Sequence, residues 1–111
     1  MKDEKVEVFN VNTPGRRTRV NAAKYRAMRA AMLAALPEGA APLPFDEIVA
    51  RLRPALPESL FPGGATSGWW AKTVQLDLEA RGEIRRHDTR PLTFSRAPQG
   101  GRRGGPDGAA Q

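Results

Sequence analysis

Apolar and polar positions alternate with period two at both ends of the chain and with helical spacing between them. Residues 5–11, KVEVFNV, alternate and predict a short strand. Asn12-Thr13-Pro14-Gly15 sets Pro before Gly, which suits a type II turn, and RRTRV returns as a second strand. Asn21 is a good N-cap, and a helix is expected over 22–36, stopped by Pro37. Tyr25, Met28, Met32 and Leu36 form its apolar stripe, with Ala35 beside it. The opposite face carries Ala23, Ala27, Ala30 and Ala34 where charges are usual. Two readings stand: alanine serves there as a strong helix former, or the small side chains form a ridge for close approach of another helix or subunit.

A second helix is expected from about Phe45 to Arg53, with Phe45, Ile48, Val49 and Leu52 on its apolar face. Asp46 and Glu47 lie in its first turn, where acids suit the helix dipole. The stretch PALPESLFPGG is too rich in proline for a long helix, and Leu56, Leu60 and Phe61 read as anchors that pin it to the core. The third helix begins with Thr66 or Ser67 as N-cap and runs to Arg81, with Gly82 following its end. Trp70, Val74 and Leu78 make one ridge, and Trp69, Leu76 and Ala80 another. The polar edge is narrow: Lys72, Gln75 and Glu79. Asp77 falls inside the apolar arc, and a buried carboxylate needs a partner, here an arginine. Adjacent residues on a helix point about 100° apart. Trp70 is therefore expected in the core, with Trp69 either over Leu60 and Phe61 or partly exposed. Period two returns in EIRRH and PLTFSR, a hairpin with Ile84, Leu92 and Phe94 facing inward.

This order predicts an N-terminal strand and turn segment over 1–20, a folded domain over 21–96 and a disordered Gly- and Pro-rich tail over 97–111. The junction LDLEARGEIRR, a long helix ending in glycine before a basic strand, looks like that of a winged helix-turn-helix domain. The expected fold is mainly α: three helices followed by a two-stranded wing. The segments NVNTPGRRTRVNAAKYRAMRAAML and LFPGGATSGWWAKTVQLDLEARG are also similar to a family of small, uncharacterised bacterial proteins, a domain of unknown function. That resemblance covers most of 5–96 and implies no activity.

Composition narrows the function classes. With 111 residues the chain has room for one modest core. The absence of cysteine excludes a disulfide scaffold and Cys-based zinc sites, and it suits the reducing cytoplasm. His87 is the single histidine, so a His-rich metal site is excluded too. No apolar stretch is long enough to span a bilayer, and the N-terminus does not read as a signal peptide; no membrane association is expected. The formal net charge is +6. Basic residues cluster at Arg16, Arg17, Arg19, Lys24, Arg26 and Arg29, without an acid among them, and again at Arg85, Arg86, Arg90 and Arg96. Two such segments fit a polyanion surface, or a well-solvated, arginine-rich protein.

FPGGATSGWWAKT contains most parts of a phosphate loop, and Gly63 and Gly68 have the Walker separation. Position 69 is tryptophan, however, and Lys72-Thr73 arrive three residues late. No nucleotide site and no cofactor are expected. The helix start, with the Thr66 and Ser67 hydroxyls, is left either as a contact for one phosphate or as a plain cap. No nucleophile–base–orienter set is visible: Asp77 and His87 are not brought together by their spacing, and Ser59 and Ser95 lack obvious partners. No catalytic residue is assigned, and an enzyme is not expected.

The leading expectation is DNA binding. Arg16, Arg17, Arg19 and the basic start of the first helix, with Thr66 and Ser67, would meet phosphates. Lys72 and Gln75 would face a groove, and Arg85, Arg86 and Arg90 would form a basic wing. Against it stand Glu79 on the same edge and a connection between helices far longer than a tight helix-turn-helix turn. The alternative is a protein-interaction or dimerisation module using Trp69 or the Ala23, Ala27, Ala30 and Ala34 ridge.

Overall fold

The computed structural model describes residues 4–98. Strands β1 (Lys5–Phe9) and β2 (Arg17–Asn21) form an antiparallel hairpin in the register Val6↔Val20 and Val8↔Thr18. Helix α1 (Ala22–Ala35) leaves β2 directly, because the Asn21 side chain accepts the Lys24 N–H at 2.9 Å and caps the first turn. Strand β3 (Leu43–Pro44) and helix α2 (Phe45–Leu52) follow. Two short 3-10 turns, Arg53–Ala55 and Pro62–Gly64, carry the proline-rich connection to helix α3 (Ser67–Ala80). Strands β4 (Ile84–His87) and β5 (Thr93–Arg96) close the described chain.

The expected layout of three helices followed by a two-stranded wing is overturned. Among the described residues there are five strands in two sheets, one sheet preceding α1 and the other including a strand between α1 and α2. The second hairpin is not a free wing, because β3 pairs with β5 (Leu43↔Phe94, Pro44↔Thr93) and gives a sheet of order β3-β5-β4. Two residues carry no period, so β3 is invisible locally. Its proline is tolerated because the strand lies at the sheet edge.

One core joins both sheets to the helices. It contains Val8 and Val20 from the first hairpin, Met28, Met32 and Leu36 from the α1 segment, and Ile48 and Leu52 from α2. Phe61, Trp70, Val74 and Leu78, with Ile84 and Phe94 of the second sheet, complete it. Val8 and Val20, which fall in the expected N-terminal segment, thus contribute side chains to the same core as 21–96. Arg96 of β5 reaches back to the end of α1, where Nε donates to the Leu36 carbonyl at 3.0 Å and Nη2 to the Leu33 carbonyl at 2.6 Å. The Leu36 carbonyl is one that a helix end leaves unpaired, and the Leu33 carbonyl accepts the Leu36 N–H as well. Leu92, expected inside, is 38% exposed, because β5 begins only at Thr93 and Leu92 belongs to the turn before it. Of the predicted tail, residues 99–111 lie outside the described residues.

Candidate functional site

The site is organised around Asp77. Its side chain is fully buried and accepts four hydrogen bonds: Tyr25 Oη at 2.5 Å, the Phe9 N–H at 2.8 Å, and Arg81 Nε at 2.9 and 3.0 Å to its two oxygens. Arg81 also donates from Nη2 to the Glu7 carbonyl at 3.0 Å and lies 4.7 Å from the Phe9 ring centre. One turn of α3 thereby holds the outer edge of β1. Partnering of the buried carboxylate by arginine follows the charge rule read from sequence; the tyrosine and the strand N–H were not visible there.

Burial first, and then the hydrogen bond to Asp77, push the Tyr25 hydroxyl up to about 12. The folded state therefore holds this proton more tightly than the unfolded chain. Its stabilising contribution is intact below about pH 10, the ordinary tyrosine value, and is lost as the pH rises through about 12. Tyr25 is the single tyrosine, so tyrosinate absorbance reports it alone. The titration midpoint is expected near 12 in the native protein and near 10 in denaturant; coincident curves would show that the Asp77 bond does not persist in solution.

Towards the start of α3 the hairpin and helix enclose a cleft of about 200 Å³, lined by Val8, Phe9, Asn10, Arg16, Thr18, Trp69, Thr73 and Leu76. A neighbouring depression shares Phe9 and Asn10 and continues along Val11, Pro14, Gly15 and Ala80. Trp69 is 56% exposed, whereas Trp70 beside it is 7% exposed. The two rings meet edge to face at 5.2 Å, and Trp70 continues edge to face onto Phe61 at 6.3 Å. The fold leaves Trp69 exposed, which overturns burial of both tryptophans in separate parts of the core, the reading the sequence slightly favoured.

The chain enters α3 through positive φ angles at Gly63 (61°), Gly64 (78°) and Thr66 (59°), the last unusual for a β-branched residue. Thr66 occupies the N-cap position without capping, and its hydroxyl turns back to the Ala65 carbonyl at 2.6 Å. Ser67 is 1% exposed, and its Oγ has no partner among the described residues. Neither hydroxyl therefore caps, and Ser67 is out of reach of a DNA phosphate. The loop already holds a carboxylate: Glu58 accepts the Gly63 N–H at 2.8 Å.

The expected groove-facing edge is also corrected. Gln75 is fully buried and donates to Glu79, and Glu79 in turn takes a two-pronged pair from Arg86, with both contacts at 2.9 Å. The second sheet packs against this side of α3, so Gln75 cannot face a groove, and Arg86, although exposed, is paired with Glu79. Only Lys72 of that edge is exposed, with its ammonium 5.2 Å from the Phe45 ring centre. Arg17 is exposed but paired with Glu7 at 3.6 Å. Arg16 and Arg19 on the first hairpin, and Arg85 and Arg90 on the second, are exposed without a side-chain partner among the described residues. Ala23, Ala30 and Ala34 face solvent, and Ala27 is half-buried.

The register of β4 and β5 brings His87 Nε2 within 2.7 Å of Ser95 Oγ, a contact that sequence spacing did not suggest. No described carboxylate bonds to this ring, so the pair lacks the orienting third group of a nucleophilic triad. Among the described residues no three His, Asp or Glu side chains cluster as a metal set, and no helix is long and apolar enough to cross a membrane.

These features define a small mixed α and β domain with a cleft of mixed polar and apolar lining beside one exposed tryptophan. The chain belongs to the family of unknown function DUF6958, whose sequence profile matches residues 5–94. That span contains every residue lining the cleft. No curated protein and no solved structure matches the chain.

Proposed function

We propose that this chain is a non-catalytic protein-interaction module whose binding surface is the cleft between the first hairpin and α3. The observation that carries the reading is the 56% exposure of Trp69 at the mouth of a cleft walled by Val8, Phe9 and Leu76. Leaving an indole in water while the adjacent one is buried forgoes about 1–2 kcal/mol of burial. Tryptophans beside apolar pockets are also the residues on which binding energy concentrates. The charge pattern supports the same reading. A DNA-binding face would need a continuous positive surface from α3 to the second hairpin, and there Gln75 is buried and Arg86 is neutralised by Glu79.

Panning a random peptide library on the immobilised protein is expected to enrich peptides that shift Trp69 emission to the blue. Trp69→Ala should weaken them at least about thirtyfold, the equivalent of about 2 kcal/mol. Because Trp69 is exposed, the same change should alter stability by less than about 1 kcal/mol. Peptides that bind Trp69→Ala unchanged would remove the cleft as the site. Nucleic-acid binding keeps one observation in its favour, the exposed Arg16 and Arg19 on the first hairpin and Arg85 and Arg90 on the second, without side-chain partners among the described residues. Retardation of duplex DNA that falls steeply with salt and is lost in Arg85→Ala/Arg90→Ala would replace the present reading with that one.

A further inference from the structure

The first hairpin has one edge covered and one open. The Phe9 N–H and the Glu7 carbonyl point out of β1 towards Asp77 and Arg81. The pairs Phe9↔Arg17 and Glu7↔Arg19 are therefore the non-hydrogen-bonded pairs of the ladder. It follows that the N–H and C=O groups of Arg17 and Arg19 point away from β1, to the free side of β2, where no described residue bonds to them. On the inner face of β2 the cover stops part-way: Val20 is buried, but Thr18 is exposed and lines the cleft beside Trp69. An open strand edge and the cleft, with Trp69 and Leu76 as its apolar wall on α3, thus adjoin at Thr18.

We infer that the occupant of the cleft is an extended acidic segment of another protein, added as a third strand to β2. The inference rests on the interaction reading above and names the partner class for the same site. Successive side chains of an added strand alternate between the two faces of the sheet. Those on the Thr18 face enter the cleft at Trp69 and are apolar. Those on the other face lie beside Arg17 and Arg19 and are carboxylates. Main-chain bonds to Arg17 and Arg19 supply affinity, and the alternating side chains supply selectivity. A second copy of this chain does not fit the edge, because pairing β2 with β2 sets arginine against arginine, and like charges on facing strands are destabilising.

The test is a titration of the ¹⁵N-labelled chain with a capped peptide in which glutamate alternates with leucine. The expected result is that the Trp69 indole signal moves and the Arg17 and Arg19 amides become protected from exchange. A lysine–leucine peptide of the same length should bind at least about tenfold more weakly. Methylation of the peptide's edge-facing amides should abolish binding. Movement of Trp69 without protection of Arg17 and Arg19, or with equal affinity for the lysine peptide, would overturn this inference while leaving the cleft as a binding site. No response at Trp69 to this peptide or to the library peptides would remove both. Displacement of the glutamate peptide by DNA in a steeply salt-dependent manner would assign the edge to a polyanion and overturn the acidic-strand reading.

Discussion

Asp77→Ala is expected to destabilise the protein by about 3–5 kcal/mol, a large part of the roughly 5–15 kcal/mol that holds a small domain together. The cost arises from what is left behind. The Tyr25 hydroxyl, the Phe9 N–H and the Arg81 guanidinium all donate to this one carboxylate, and its removal leaves the buried hydroxyl and the part-buried N–H without an acceptor and the one-third exposed Arg81 without its counter-charge. Asp77→Asn is not a rescue. The amide keeps the volume, but it turns an NH₂ group towards donors where an acceptor is required. Thermal unfolding should show the alanine variant melting more than about 12 °C below the parent. Hydrogen exchange should show β1 losing protection ahead of α1, because Asp77 and Arg81 fasten β1 to α3. A shift of only a degree or two would mean that the network contributes little and that Val8 and Val20 alone hold the hairpin.

Phe61→Ala should cost about 3–5 kcal/mol by a different mechanism, the opening of a cavity. Phe61 is 1% exposed, at the end of a connection whose prolines forbid a regular helix. Its ring packs on the edge of Trp70 and lies 5.9 Å from the Lys24 ammonium, so one side chain ties the connection to both α3 and α1. Urea denaturation followed by tryptophan emission measures this loss. Because Trp70 also touches Trp69, the alanine variant should change native-state emission as well. Phe61→Leu retains most of the volume and should cost no more than about 1.5 kcal/mol. Equal losses from the two substitutions would show that ring contact, and not filled volume, is what the site requires.

Much of this framework was legible locally. Asn21 as a cap, Pro37 after α1, the stripe of Tyr25, Met28, Met32 and Leu36, and the anchor role of Phe61 each depend on near neighbours, and the fold keeps them. The buried position of Asp77 was legible from the helical wheel, because a carboxylate inside an apolar arc conflicts with its surroundings. The candidate site was less legible. Lys72, Gln75 and Glu79 share an edge of α3, and polarity alone assigned that edge to solvent. The second sheet covers two of the three, where Arg86 satisfies Glu79. Basic charge misled for the same reason. Arg86 is occupied by Glu79 where the second sheet meets α3, and Arg96 by the Leu33 and Leu36 carbonyls at the end of α1, partners that a local charge count does not weigh.

Local sequence specified three α-helices, each to within a residue of its observed end, the two hairpins, and Trp70 as the buried tryptophan. These follow from backbone propensity, capping and short-range apolar period. Long-range packing set the rest: Leu43–Pro44 joins the second hairpin as a strand, Gln75 and Glu79 face protein, and Trp69 stands in the open. The physical reason is common to all three. A helix or strand fixes the direction of each side chain relative to its own axis, but which of those directions meets solvent depends on where non-local segments come to rest. Here Asp77 draws the first hairpin onto the far end of α3 and the second sheet covers its polar edge, which leaves Trp69 exposed while Ser67, Trp70 and Ala71 beside it are buried.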